Sequence, residues 1–145
     1  MLEIRDMTFD DIDEVVAIEK ENFSTPWDEN GFFSFMIRQG TAFICAVEDG
    51  HIVGYGGMVT AADEGDITNV SVSQHKRQGG VGTALVSRLL EKGTQMGIKK
   101  LFLEVRVSND AAIHLYEKLG FTAISKRKDY YRAPIEDASV MIKEL

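Results

Sequence analysis

The pattern of apolar and polar positions changes along the chain between the two-residue period of strands and the longer period of amphipathic helices. Apolar runs and alternations predict strands at residues 2–5, 41–48, 51–60, 67–72, 101–105, 122–128 and 138–144. Helical spacing predicts helices that begin near Thr8, near Asp28, at Val81 and at Asp110. The resulting order, βααβββαβαββ, is typical of an α/β sandwich built on a mixed sheet.

Local signals mark several of these boundaries. Thr8 and Asp11 have the spacing of a capping box, which predicts a helix start. The segment Pro26–Asp28 breaks the chain before the second helix, whose apolar face carries Phe32, Phe35 and Met36. Asp49 and Gly50 predict a hairpin turn between the second and third strands. Glycines within the third strand predict bends or close backbone approach: Gly54, Gly56 and Gly57.

A glycine-rich segment, residues 77–83, connects the fourth strand to the long helix. Such a turn aims several backbone N–H groups at one point, where the helix dipole adds positive charge. This arrangement binds phosphate, although a tight strand-to-helix connection has the same composition. No Lys-Ser or Lys-Thr pair follows the glycines, so the segment is not a Walker loop. Leu85 occupies the third glycine position of a dinucleotide fingerprint, which disfavours that interpretation too.

Two motifs in order give the segment a more specific interpretation. Arg77, Gly80 and Gly82 match the pattern Arg/Gln-x-x-Gly-x-Gly/Ala. Further along, the pattern Asn-x-x-Ala-x-x-Leu-Tyr-x-x-x-Gly-Phe is matched by Asn109, Ala112, Leu115, Tyr116, Gly120 and Phe121. With these two motifs the chain resembles the GCN5-related N-acetyltransferases, known as the GNAT superfamily, which bind acetyl-coenzyme A.

A narrower likeness extends over the whole chain. The segments 23–27, 103–106, 130–131 and 136–138 are similar to those of the ribosomal-protein alanine N-acetyltransferases. Gly79 departs from that group, in which a longer polar residue is common, but it keeps its N–H donor. The resemblance covers residues 1–145, which we therefore expect to form a single N-acetyltransferase domain.

The resemblance implies a fold and a co-substrate. The fold is a mixed central sheet of about seven strands flanked by about four helices, in which the fourth and fifth strands splay apart and admit the pantetheine arm. The co-substrate is acetyl-CoA. The positions that match the family's cofactor-binding residues are Val70, Ser71, Val72, Arg77, Gln78, Gly79, Gly80, Val81, Gly82, Thr83 and Asn109.

Acetylation of an amine needs a base for the amine proton, a donor for the developing oxyanion and an acid for the departing thiolate. The resemblance implies that Glu104 is the proton acceptor and Tyr116 the proton donor. The apolar neighbours of Glu104 raise its proton affinity. Strand alternation also places Arg106 on the same face as Glu104, so the carboxylate could pair with it or face solvent. The helical stripe that contains Tyr116 equally suits a packed core tyrosine.

The same resemblance suggests an acceptor and a groove. The acceptor is the N-terminal α-amino group of a protein, the alanine of a small-subunit ribosomal protein in particular. Candidates for the lining of the groove are Trp27, Tyr130, Tyr131 and Glu136, each of which could instead be a packing or surface residue. Two alternative functions are acetylation of a small-molecule amine, such as a polyamine or an antibiotic, and non-catalytic sensing of acyl-CoA.

Composition narrows the partners. The formal charge is −7, from 16 basic and 23 acidic residues. A nucleic-acid-binding protein normally carries a basic stripe, and the sequence has none, so we expect no direct nucleic-acid partner. The acidic balance suits a cationic partner through electrostatic steering, or solubility alone.

The remaining features favour a cytoplasmic protein, which we expect to be a monomer or a weak dimer. The single cysteine, Cys45, lies in an apolar segment and is typical of a small core residue in a reducing compartment. Met1 precedes a polar-alternating strand, so we expect no signal peptide, and no apolar run approaches membrane-spanning length. We expect no metal, because the histidines at positions 51, 75 and 114 lack ligand spacing. His114 lies about 200° round the helix from Tyr116 and should face elsewhere.

Overall fold

The computed structural model describes residues 1–77 and 79–145; Gln78, one of the expected cofactor-binding residues, lies outside the described residues. The strands of this part of the chain are β1 Leu2–Asp6, β2 Thr41–Glu48, β3 His51–Ala61, β4 Glu64–Val72, β5 Lys100–Arg106, β6 Thr122–Tyr131 and β7 Glu136–Glu144. Its helices are α1 Ile12–Asn22, α2 Glu29–Met36, α3 Val81–Gln95 and α4 Asp110–Lys118, with short 3-10 turns at Phe9–Asp11 and Gln74–Lys76. The predicted order of elements is confirmed.

All seven strands belong to one sheet in the order β1-β2-β3-β4-β5-β7-β6. The first four strands pair antiparallel, β4 pairs parallel with β5, and β7 lies antiparallel between β5 and β6. The expected mixed sheet flanked by helices is therefore confirmed.

The local signals act as predicted. Asp49 and Gly50 have φ values of 52° and 79°, the left-handed backbone that a tight hairpin turn requires. Asp11 accepts the N–H of Thr8 at 2.7 Å, and the first helix begins as a 3-10 turn before α1. Asp28 caps α2 by accepting the N–H of Gly31 at 2.8 Å.

The two faces of the sheet carry separate apolar cores. Helix α3 packs Leu85 and Leu89 on one face, while α1 and α2 cover the other face around Phe32. The glycines of β3 allow α3 to pack closely, because a Cβ at Gly54 or Gly56 would lie 3.1 Å from a leucine methyl of that helix. The predicted close approach at these glycines is confirmed.

The middle of the sheet opens where β4 and β5 part. Their parallel pairing covers only Glu64–Asp66 against Lys100–Phe102. Just beyond, a bulge leaves Thr68 without an opposite residue on β3, since Gly57 pairs with Asn69 and the next β3 residue pairs with Ile67. A bulge bends its strand and re-aims the side chains that follow it. The expected splay of the fourth and fifth strands is present.

Strand β6 is longer than the apolar pattern predicts. It continues to Tyr131 across an irregularity in its pairing with β7, where Asp129 has a φ of 52°. The N–H of Asp129 donates to the carboxylate of Asp137 at 3.0 Å, which replaces a bond of the sheet ladder. The tandem tyrosines at 130 and 131 are therefore held on a strand.

Candidate active site

A cavity of about 780 Å³ lies where β4 and β5 diverge. It is bounded by the end of α1, the start of α4 and the turn between β6 and β7. Its lining residues are Glu19, Asn22, Phe23, Ser24, Thr25, Trp27, Ile67, Thr68, Asn69, Val70, Leu103, Glu104, Val105, Arg106, Asn109, Ala112, Tyr116, Tyr130, Tyr131, Arg132, Ala133 and Pro134. The cavity brings together the two expected catalytic residues and most of the expected groove.

The start of α3 has the geometry of an anion site. Gly80 precedes the helix with a φ of 84°, a left-handed conformation that glycine adopts without strain, and the space around it is open. The N–H of Ala84 is bonded to the carbonyl of Gly80 at 3.1 Å. The N–H groups of the preceding turn, from Val81 to Thr83, have no acceptor within the helix, as at every helix start.

The surroundings of this turn are also defined. A Cβ at Gly82 would lie 3.0 Å from a methyl of Leu115, so glycine allows α4 to pack beside α3. Gly79 is exposed. The exposed Arg77 donates a hydrogen bond from its guanidinium to the side-chain carbonyl of Asn22.

Strand β4 presents its other edge to the cavity. One edge pairs with β3 from Glu64 to Val72, and the opposite edge is free of β5 beyond Asp66. Val70 lines the cavity, Ser71 is buried, and the carbonyl of Val72 accepts from Asn22 at 2.9 Å. An unpaired edge of this kind binds extended ligands by adding them as a strand.

Glu104 lies in the middle of β5 on the cavity side. Its side chain is 21% exposed, and burial raises the pKa of the carboxyl above its usual value. Arg127 opposes this rise through an ion pair, with Nε 3.4 Å from Oε2, while the charge of Asp66 adds to it. The alternative pairing with Arg106 is not present, because that guanidinium binds Glu136.

Tyr116 faces inward from α4. Its ring packs edge-on against Phe121 with centroids 5.6 Å apart, and the residue also lines the cavity. Burial raises the pKa of its phenol to about 12. The packing interpretation of this tyrosine is therefore confirmed, and it is compatible with a hydroxyl directed at a ligand. His114, two positions away, is exposed, as predicted.

Asn109 begins α4 and borders the cavity. Its side-chain carbonyl caps the helix by accepting the N–H of Ala112 at 3.1 Å. The cap fixes the rim of the cavity next to Tyr116.

Aromatic side chains form part of the cavity wall. Trp27 stacks on Phe35 with ring centroids 4.6 Å apart. Tyr130 and Tyr131 pack edge to face at 5.0 Å, and the guanidinium of Arg106 lies 4.5 Å from the centre of the Tyr131 ring. Three of the four groove candidates thus line one cavity.

The fourth groove candidate, Glu136, stands behind the rim and is not among the cavity-lining residues. Its carboxylate accepts from Arg106 at 3.1 Å and from the N–H of Ser108 at 2.8 Å. Arg106 also donates to the carbonyls of Arg132 and Pro134. Glu136 therefore ties the β6–β7 turn to the segment that leads into α4.

Sequence reasoning missed four polar residues of the cavity, Glu19, Asn22, Thr68 and Asn69. It also missed Arg127, which does not line the cavity but pairs with Glu104. Glu19 could have been noticed, because it follows Val15 and Val16 at helical spacing and so places a charge on the buried face of α1. The others depend on the bulge and on the strand order, which local patterns do not reveal.

Three further observations concern the cysteine, metal ligands and membrane-spanning helices. Cys45 is fully buried, and burial raises the pKa of its thiol to about 12, so the predicted core role is confirmed. The described residues include no group of three or more His, Cys, Asp or Glu side chains that could hold a metal ion. In the described part of the chain, no helix is long and apolar enough to cross a membrane.

The parted strands, the open helix start and the cavity between them are the arrangement that the resemblance to the N-acetyltransferases implies. The chain belongs to the acetyltransferase (GNAT) family, whose model matches residues 9–121. It is 35% identical over 139 residues to a putative ribosomal protein bS18-alanine N-acetyltransferase of Bacillus subtilis, covering 95% of this chain and 92% of that protein. It is 30% identical over 155 residues to an N-alpha-acetyltransferase of Sulfurisphaera tokodaii, covering 98% and 92% respectively.

A solved structure agrees with these relatives. The crystal structure of the ribosomal-protein-S18-alanine N-acetyltransferase from Escherichia coli superposes with a TM-score of 0.91 at 29% identity. The match covers 99% of this chain and 94% of that one. The narrower likeness noted in the sequence is thus confirmed.

Proposed function

We propose that this protein transfers the acetyl group of acetyl-CoA to the N-terminal α-amino group of a protein. The acceptor is the N-terminal alanine of ribosomal protein bS18 or its equivalent, as the names of the relatives suggest. The observation that carries the proposal is the cavity that holds Glu104 and Tyr116 where β4 and β5 part. An N-terminal segment of a ribosomal protein would be acetylated in the cytoplasm, which we take as the site of action.

The residues present fit acetyl-CoA. The edge of β4 at Val70–Val72, which has no strand partner on that side, suits the pantetheine arm. The open turn at Gly79 and Gly80 and the helix start at residues 81–83, with Arg77, suit the pyrophosphate. Asn109 borders the same cavity. When bound, the co-substrate supplies an acyl thioester.

The surroundings of Glu104 and Tyr116 support the two proton transfers. A half-buried carboxylate with a raised pKa is a stronger base than an exposed one, so Glu104 can accept a proton from the attacking amine. Tyr116, with a pKa of about 12, stays protonated at neutral pH and can donate to the departing thiolate. A carbon–nitrogen bond forms as the carbon–sulfur bond breaks. The proton of the amine moves to Glu104, and the proton of Tyr116 moves to the thiolate of CoA.

The alternatives have less support. A small-molecule amine acetyltransferase could use the same two side chains, but the similar proteins are named for N-terminal or ribosomal-protein acetylation. A non-catalytic acyl-CoA sensor would not need a carboxylate and a phenol on one cavity.

The test is release of CoA from acetyl-CoA with three acceptors side by side. These are a ribosomal-protein peptide that begins with alanine, its pre-acetylated copy and a polyamine. Release with the free alanine peptide alone supports the proposal. Release with the polyamine alone would contradict the proposed acceptor, and cofactor binding without release from any acceptor would favour the sensor.

A further inference from the structure

Glu19 is a buried carboxylate that the proposed mechanism does not use. It lies near the end of α1, is 3% exposed and lines the cavity. It accepts hydrogen bonds from the hydroxyl of Tyr55, from the N–H of Trp27 at 3.0 Å and from the amide of Asn69 at 3.4 Å. All three donors are neutral. Among the described residues no Lys, Arg or His lies within 4.0 Å of it, unlike the carboxylates of Glu104 and Glu136.

Two acceptors without a donor lie on β4, at the residue that donates to Glu19 and at the residue before it. Asn69 is 7% exposed, and its amide nitrogen donates to Glu19, which leaves its carbonyl oxygen for a different donor. That oxygen and the hydroxyl of Thr68 are both buried without a hydrogen-bond partner in the described structure. Both residues line the cavity. Buried polar atoms without partners are rare, so a pair of them at a cavity points to a ligand.

The carboxylate of Glu19 and the free acceptors of Thr68 and Asn69 therefore favour a cationic ligand with several N–H donors. Of the positive side chains near the cavity, Arg106 pairs with Glu136 and Arg127 with Glu104. Arg132 is exposed on the cavity wall and does not pair with Glu19. A protonated amine supplies one charge and three donors. The α-amino group of a peptide has an ordinary pKa near 8 and is mostly protonated at neutral pH.

We propose that Glu19, Asn69 and Thr68 form the site that first binds the α-ammonium group of the incoming peptide. One proton of that group leaves to solvent, which gives the neutral amine, and Glu104 accepts the second proton as the carbon–nitrogen bond forms. This inference rests on the proposed function and adds a positioning site to it. The site selects for an unblocked amine, because an acetylated or amine-free terminus offers too few donors and no charge. Glu19 acts by holding the amine at the strand bulge and exchanges no proton with it.

The test compares two peptides for binding to the protein saturated with CoA at pH 7. One begins with alanine, and the other begins with a propionyl group, which keeps the methyl and lacks the amine. We expect the wild-type protein to bind the amine peptide about tenfold or more tightly, as hydrogen bonds to charged groups require. In Glu19→Gln that preference should fall to about twofold or less, through weaker binding of the amine peptide alone.

Two further variants keep the test decisive. Thr68→Val removes a hydroxyl that has no partner, so it should fold normally and still lose part of the preference. Asp13→Asn removes the same charge from an exposed position at the start of the same helix and should keep the preference. Acetyl-CoA affinity should be unchanged in all three variants.

The outcomes separate the two proposals. If Glu19→Gln weakens both peptides equally, or if both cavity variants keep the preference, the ammonium site is wrong while acetylation by the wild-type protein still supports the function. If the wild-type protein neither binds nor acetylates the alanine peptide, the proposed function itself fails.

Discussion

The ion pair between Glu104 and Arg127 leads to a prediction about pH dependence. Arg127 is on β6 opposite Ala138 of β7, and its side chain reaches Glu104 of β5 across that strand. The guanidinium lowers the pKa of the carboxyl, against the effect of burial. Arg127→Gln removes that charge, so the pKa of Glu104 should rise. Because the base works only when it is deprotonated, activity should then be lost at a higher pH as the solution is acidified.

The size of the effect follows from distance and exposure. Two unit charges about 4 Å apart interact by about 4 kcal/mol at an effective dielectric constant of about 20, and by about 1 kcal/mol in water. The side chain of Arg127 is 59% exposed and that of Glu104 is 21% exposed, so solvent screens the pair strongly. Exposed pairs contribute about 0.2–1 kcal/mol. The acid limb of the pH profile, where activity falls as the pH is lowered, should therefore shift to higher pH by roughly 0.1–0.7 units.

The assay is the pH profile of kcat/KM at constant ionic strength. Arg127→Lys keeps the charge and should keep most of the wild-type profile. Lys126→Gln removes a charge from the exposed neighbouring position on β6 and should leave the limb in place. An unchanged limb in Arg127→Gln, or a shift to lower pH, would refute the assignment of Glu104 as the base or of Arg127 as its partner.

Three other predictions test separate parts of the structure. Tyr116→Phe should slow turnover without lowering the melting temperature, since the ring packing is kept; an unchanged rate would leave Tyr116 a packing role only. Gly80→Ala should lower the free energy of unfolding by about 1 kcal/mol, because the backbone at Gly80 is left-handed before any ligand binds; a variant as stable as the wild type in a denaturant titration would contradict that conformation. Arg5 lowers the pKa of Asp11 to about 2, so Asp11→Asn should cost about 1–2 kcal/mol at pH 7. In the wild-type protein the stability that this ion pair contributes should be lost as pH falls from about 4 to 2. An Asp11→Asn variant as stable as the wild type at pH 7 would contradict the assigned contribution.

Most of the elements could be predicted because their signals are local. The hairpin turn at residues 49–50, the cap at Asp28 and the apolar stripe of α3 each depend on a few neighbouring residues. The end of β6 could not be predicted in this way, because a carboxylate from β7 supports its irregular pairing at Asp129.

Site residues that belong to a sequence motif could be predicted, whereas contacts that depend on the order of the strands could not. Glu104 and Tyr116 were identified through a resemblance, and the structure places both on one cavity. The sequence does not determine the ion-pair partner of Glu104, because Arg127 reaches it across an intervening strand. The donor-free acceptors at Thr68 and Asn69 arise from a bulge that shifts the alternation of β4, and nothing in the local pattern signals it.

The most direct test of the account is acetylation of the alanine-starting ribosomal-protein peptide by wild-type protein and by Glu104→Gln. Mass spectrometry locates the acetyl group, and a separate titration measures acetyl-CoA affinity. We expect the wild-type protein to acetylate the α-amine and the variant to lose most of its turnover while it binds acetyl-CoA equally well. Full turnover in the variant, or acetylation only away from the α-amine, would contradict the account.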